Sequence, residues 1–83
     1  MICKRKKESR VIISFDSTCF AFEAEEFFGE REIPGRLIPL PGEIKSGCGM
    51  AWCSPVENKE RVLSALEDSG VPYHGVDVLE LYV

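Results

Sequence analysis

The residues of this chain best suited to covalent chemistry are four cysteines and one histidine. The clearest candidate is Cys48, which lies between Gly47 and Gly49. Neither neighbour has a side chain that could shield the sulfur, and glycines let successive backbone N–H groups form a concave nest for an anion. A thiolate or a persulfide is such an anion. The pattern therefore predicts a reactive thiol, although an inert cysteine in a glycine turn would fit the Gly-x-Gly spacing as well.

Two further side chains could assist this thiol. Cys19 is expected in the first turn of a helix, next to the capping residues Ser17 and Thr18. A helix N-terminus favours a thiolate, so Cys19 could resolve a mixed disulfide with Cys48; the alternative is a small, partly buried apolar residue. His74 could donate a proton or pair with a thiolate, or could be only a polar residue of a surface turn.

The spacing of the cysteines does not indicate a metal site. There is no Cys-x-x-Cys pair, and Cys53 is the only cysteine near Cys48 in the sequence. A site built from Cys19, Cys48 and His74 is geometrically conceivable but has no supporting motif. No Gly-x-Gly-x-x-Gly or P-loop is present, so we expect neither a metal nor an organic cofactor. We expect Cys53 to be a packing residue of a strand.

Composition and charge narrow the class of protein. The chain has 83 residues and a net charge of −4, which divides into +4 over residues 1–10 and −8 over the rest. An acidic body argues against nucleic acid as a partner. No apolar run is long enough to span a membrane, and Asp16 interrupts the run that a signal peptide would need. We therefore expect a cytoplasmic protein without a membrane partner, whose cysteines are reduced and do not form a disulfide framework.

The hydrophobic pattern predicts six elements in one domain. Residues 1–10 are expected to be a basic N-terminal tail and residues 11–83 a single domain. The predicted elements, in order, are a strand Arg10–Phe15, a helix capped by Asp16–Thr18 and continuing to Glu30, a strand Arg36–Pro41, a short strand Gly49–Cys53, a helix started by Ser54–Glu57 and ended by Gly70, and a strand Val76–Val83.

The order strand, helix, strand, strand, helix, strand predicts an α+β, ferredoxin-like βαββαβ sandwich. Short connections and right-handed crossovers give an antiparallel sheet with strand order 4-1-3-2. Pro39 and Pro41 independently require an edge for the second strand, because proline has no N–H to donate. This topology collects three segments at one rim of the sheet: the start of the first helix, the loop around Cys48, and the turn that holds His74. Cys53 is expected at the opposite rim.

The motifs that carry these features resemble a known family. They are Phe15–Thr18, Ala21-x-x-Ala24-Glu25, Ile33–Pro41, Glu43-Ile44 and Ser46–Gly49. Together they resemble the selenium/sulfur carrier protein-like family, a small and mostly prokaryotic group, from Val11 to the C-terminus. The most specific part is the Pro-x-Glu-Ile-x-Ser-x-Cys-Gly stretch from Pro41 to Gly49. The resemblance implies that the loop cysteine, here Cys48, carries sulfur or selenium.

The chain departs from the family pattern at two positions. Family members often have arginine where this chain has Gly42, and histidine near the start of the first helix, where this chain has Cys19. The first departure removes a cation from beside the cysteine. The second either adds a resolving thiol, Cys19, or indicates that the chemistry of this chain differs from that of the family.

The sequence therefore favours a carrier over a turnover enzyme. Cys48, assisted by Cys19, would accept a persulfide or perselenide from a donor protein and pass it to an acceptor protein. Gly47, Gly49, Ser17 and Thr18 would surround the cargo. Two alternatives stay open: an interaction or ligand-sensing module that forms a homodimer through an open sheet face, and a thiol metal-binding protein.

Overall fold

Four strands and two α-helices make up the part of the chain that the structure, a computed structural model, describes: residues 7–42, 44 and 49–82. The elements are β1 (Lys7–Ser14), α1 (Thr18–Glu30), β2 (Arg36–Pro39), β3 (Met50–Pro55), a short 3-10 helix (Val56–Asn58), α2 (Lys59–Ser69) and β4 (Gly75–Tyr82). The class is α+β, as predicted. No helix in these residues combines the length and the apolar run needed to cross a membrane.

All strand pairs of the sheet are antiparallel, and the strand order is β2-β3-β1-β4. Counted from the β4 edge, this order reads 4-1-3-2. Among the described strands β2 pairs with β3 alone, so it is an edge strand. Its last residue is Pro39, which agrees with the requirement that proline placed on this strand.

Both helices contribute to a core on one face of the sheet. Alternate residues of β1 point to this face because strand side chains alternate with period two. Trp52 of β3 packs against Phe28 of α1, with ring centroids 4.1 Å apart. The buried apolar residues of this core are Val11, Ile13, Phe15, Ala21, Ala24, Phe28, Ile33, Trp52, Val62, Ala65 and Leu66.

The second face of the sheet has a smaller buried cluster of Ile12, Ala51 and Cys53. Leu40 and Ile44, from the segment after β2, pack against it. These two residues cover part of this face, and a homodimer through the rest of it stays a prediction.

Strand β1 begins earlier than the sequence predicted. Residues 7–10, assigned to the basic tail, pair with residues 79–82 of β4, and the Arg10 guanidinium donates to Glu8 at 2.8 Å. Residues 7–10 therefore belong to β1. The physical reason is that β4 is eight residues long. Its last backbone N–H and C=O groups need hydrogen-bond partners, and residues 7–10 of β1 provide them.

The start of α2 also differs from the prediction. Ser54 does not cap a helix but lies buried in β3, where its hydroxyl donates to the carbonyl of Pro34 at 2.6 Å. The 3-10 helix follows, and α2 begins only at Lys59, without a capping side chain. Because β3 continues to Pro55, Cys53 lies within the sheet and not at its opposite rim. Gly70 ends α2 as predicted, with a φ of 69° that suits glycine.

Gly35 provides a direct test of the packing around Trp52. A Cβ at Gly35 would lie 2.3 Å from a ring carbon of Trp52 and 2.7 Å from the carbonyl of Cys53, so Gly35→Ala forces the core to shift. We expect a loss of about 1–3 kcal/mol in the free energy of unfolding, measured by urea denaturation. Gly29→Ala is the matched control, because a Cβ there meets nothing within 4 Å and alanine favours a helix. Equal effects of the two substitutions would contradict this packing.

Candidate functional site

The sheet brings the ends of three strands into one row. Ser14, the last residue of β1, is the partner of Ala51 in β3 and of Gly75 in β4. Because α1 begins four residues after Ser14, its first turn lies at the same end of the sheet. We call this end the upper rim and define it by residues 14–19, 49–51 and 73–75.

Ser14 connects β1 to the start of β4. It is fully buried, and its backbone carbonyl accepts a hydrogen bond from the N–H of His74 at 2.7 Å. Its hydroxyl donates to the carbonyl of Gly75 at 3.3 Å. These bonds fix the turn before β4 against the end of β1, as the predicted topology requires.

The first turn of α1 has the cap that the sequence indicated. Ser17 is extended, with a φ of −138°, and its hydroxyl accepts from the N–H of Cys19 at 3.3 Å. Thr18 is the first helical residue, and Thr18 and Cys19 are both exposed. A helix N-terminus carries partial positive charge from its unpaired N–H groups, so this turn offers a favourable setting for an anion.

A side-chain contact that sequence reasoning missed joins two parts of the upper rim. Nδ1 of His74 lies 3.0 Å from Oδ1 of Asp16, although the two residues are 58 positions apart. The His74 side chain is about half exposed and the Asp16 side chain about two-thirds exposed. No local motif indicates this contact, because it depends on the register of β1 with β4.

The loop that holds the predicted carrier thiol is described only in part: Glu43, Lys45, Ser46, Gly47 and Cys48 lie outside the described residues, as does Cys3. A backbone hydrogen bond joins its two ends: the N–H of Leu40 donates to the carbonyl of Gly49 at 2.9 Å. Gly49 is exposed and has a φ of 72°, a conformation that favours glycine.

Ile44 fixes the same loop to the sheet. Its N–H donates to the carbonyl of Pro41 at 3.0 Å, and its side chain packs against the cluster of Ile12, Ala51 and Cys53. The Leu40–Gly49 hydrogen bond therefore joins the ends of the loop, and Ile44, within the Pro41–Gly49 stretch, packs its apolar side chain on the sheet.

The two described cysteines lie in opposite environments. Cys19 is exposed on the upper rim, and Cys53 is buried in β3. Burial raises the pKa of the Cys53 thiol, and the nearby guanidinium groups of Arg10 and Arg36 offset this only in part. A buried protonated thiol is a poor nucleophile, which fits the expected packing role of Cys53.

A metal site would need several ligating side chains close together in the part of the chain that the structure describes. No group of three side chains from His, Cys, Asp and Glu comes together there in a way that could hold an ion. Asp16, Cys19 and His74 share the upper rim without forming such a group.

The chain matches a known protein family. The model of the family described as "Putative Se/S carrier protein-like" matches residues 10–76, which are 67 of the 83 residues. The chain belongs to this family. The matched range contains the whole upper rim and the Pro41–Gly49 stretch. No curated protein and no solved structure matches the chain.

The contrast between Cys19 and Cys53 predicts selective alkylation. In native protein treated briefly with iodoacetamide, we expect Cys19 to react about tenfold faster or more than Cys53, because Cys19 is accessible and the Cys53 thiol is buried. Peptide mass spectrometry measures each site separately. In urea the two rates should converge. Faster native labelling of Cys53 would contradict the described burial.

Proposed function

We propose that this protein is a sulfur or selenium carrier, in which the Cys48 thiol accepts the cargo atom from a donor protein and passes it to an acceptor protein. The observation that carries the proposal is the family match, which includes the Pro41–Gly49 stretch around Cys48. Cys48 is bonded directly to Gly49, an exposed residue of the upper rim. We also propose that the fold is a ferredoxin-like sandwich and that the protein is cytoplasmic.

The transfer is a thiol exchange that needs no external oxidant. In loading, the Cys48 thiolate attacks the terminal sulfur of a persulfide on the donor protein. A new S–S bond forms at Cys48, the S–S bond of the donor breaks, and the cysteine of the donor leaves as a thiolate. In delivery, a nucleophile of the acceptor attacks the terminal sulfur, and Cys48 is the leaving thiolate. Selenium as cargo would follow the same two steps.

The loop has features suited to holding this cargo. Gly49 adopts the left-handed φ that one residue of an anion-binding nest requires, and Gly47 would give the sulfur a second side without a side chain. The Leu40–Gly49 hydrogen bond and the packing of Ile44 hold the described ends of the loop to the sheet. Fixed ends lower the entropy cost of presenting the cargo to a partner.

The start of α1 has a complementary role in the proposal. Ser17 and Thr18 belong to the same rim, where the helix N-terminus favours a negatively charged persulfide. Cys19 would act as the resolving thiol. Its thiolate would attack the Cys48 sulfur, forming a Cys19–Cys48 disulfide and releasing hydrosulfide, after which a thiol reductant restores both cysteines.

Intact-mass measurement tests the proposal. Reduced protein is incubated with a cysteine desulfurase and cysteine, and we expect a mass gain of about 32 Da, one sulfur atom, on the wild type. Cys48→Ser should lose this adduct. Cys53→Ser is the matched control and should keep it, because Cys53 is buried. No adduct on the wild type, or an equal adduct on Cys48→Ser, would refute the carrier role of Cys48.

A further inference from the structure

We infer that two copies of this chain form a homodimer through the second face, the side of the sheet that carries the buried cluster of Ile12, Ala51 and Cys53. Both described α-helices pack on the other side of the sheet. The apolar side chains around the cluster are only partly buried, and they are Ile38, Leu40, Ile44 and Leu79. A sheet face of this kind has apolar surface left to bury against a further layer. The inference does not depend on the carrier function.

One row of side chains across the second face has opposite charges at its two ends. Successive partners along this row, from β2 to β4, are Arg36, Cys53, Ile12 and Asp77. Because directly paired residues of neighbouring strands point to the same face, the two end residues share the face of Cys53 and Ile12. Both end residues are exposed. The row is therefore positive at β2, apolar in the middle and negative at β4.

The two end charges have no counter-ion among the residues that the structure describes. Three strand spacings separate Arg36 from Asp77, about 14 Å, which is too far for the two to pair within one chain. None of the ion pairs between described residues includes either of them. Arg10, which also lies on this face, is already paired with Glu8 at 2.8 Å. A partner that meets both end charges must itself carry a negative and a positive group at the same separation.

A second copy of the chain meets this requirement. A two-fold axis that runs parallel to the strands, between β1 and β3, places β2 of one copy over β4 of the other. Arg36 of each copy then faces Asp77 of the other, so that one dimer contains this contact twice. A two-fold axis along the row would instead oppose like charges, which repel. The favoured arrangement keeps the two strand directions within about 30° of each other, as in aligned packing of two sheets.

The apolar middle of the row and the charges at its ends have different roles in this dimer. The partly buried apolar side chains around Ile12 and Cys53 lose more of their surface to water when the second copy covers them, which favours association. The exposed charges of Arg36 and Asp77 lie at the margin of the interface, where they mainly fix the orientation of the partner. We therefore expect a dimer that salt weakens, because exposed charges are screened.

Sedimentation equilibrium of the full chain tests the inference, with a thiol reductant present to exclude disulfide-linked dimers. We expect a wild-type dimer whose dissociation constant rises with salt. Arg36→Asp and Asp77→Arg should each weaken the dimer about tenfold or more, since each substitution opposes like charges at both symmetry-related contacts. An equimolar mixture of the two variants should form a heterodimer, because every contact in it again joins opposite charges.

Arg61→Asp and Asp68→Arg are the matched controls. They make the same two changes of charge at exposed positions of α2, on the other side of the sheet. Both should keep the wild-type dissociation constant. Asp68→Arg also removes the exposed Arg31–Asp68 ion pair, which contributes little to stability. Association in the mixture would show that Arg36→Asp and Asp77→Arg are folded, and circular dichroism checks each of them alone.

Three results would overturn the inference. The first is a wild type that stays monomeric at millimolar concentration, since the second face would then be free or would serve a different protein. The second is a wild-type dimer that neither Arg36→Asp nor Asp77→Arg weakens. The third is loss of the dimer in both variants without recovery in their mixture. None of these results involves sulfur loading, so the carrier function and the homodimer stand or fall separately.

Discussion

The central position of β1 is the constraint on which the rest of the structure depends. β1 pairs with β3 on one side and β4 on the other, and Val11, Ile12 and Ile13 are inaccessible to solvent on both faces of the sheet. A one-residue slip would exchange the two faces of the strand and expose one buried set. The register is therefore strongly specified, and it decides which segments meet at the upper rim. The Ser14 row, the start of α1 and the turn at His74 all follow from it.

A second constraint acts on the loop between β2 and β3. Ile44 lies in the middle of the stretch from Pro41 to Gly49 and packs on the face of the sheet opposite the helices. The same short stretch thus combines an apolar anchor with the glycines beside Cys48. The buried Cys53 forms part of the surface on which Ile44 packs, so this cysteine helps to position the start of the loop.

Much of the fold could be predicted because its signals are local. The capping residue Ser17, the helical spacing of Ala21, Ala24 and Phe28, the prolines of the second strand and the stop at Gly70 each indicate their element directly. The upper rim followed from the order of the elements. The family resemblance was likewise available from the sequence, because its motif is a continuous stretch.

The errors arose where tertiary contacts outweighed local patterns. Ser54 is a residue type that favours a helix cap. Here its backbone lies in β3, paired with β1, and its hydroxyl donates to the carbonyl of Pro34. Residues 7–10 have the charge of a solvated tail, yet they pair in the sheet with residues 79–82 of β4. The Asp16–His74 pair and the anchoring of Ile44 depend on strand register and on the second face of the sheet. Neither can be read from spacing along the chain.

The most direct test of the central claim, that the Cys48 thiol acts at the upper rim, is an NMR comparison. In a Cys3→Ser, Cys19→Ser variant, methyl methanethiosulfonate converts Cys48 to a mixed disulfide that resembles a persulfide. The proposed site predicts that the amide signals of Thr18, Gly49 and His74 shift most, while those of Val56 and Glu57, at the opposite end of β3, stay unchanged. Unchanged rim signals, or larger shifts at Val56 and Glu57, would contradict the proposed site.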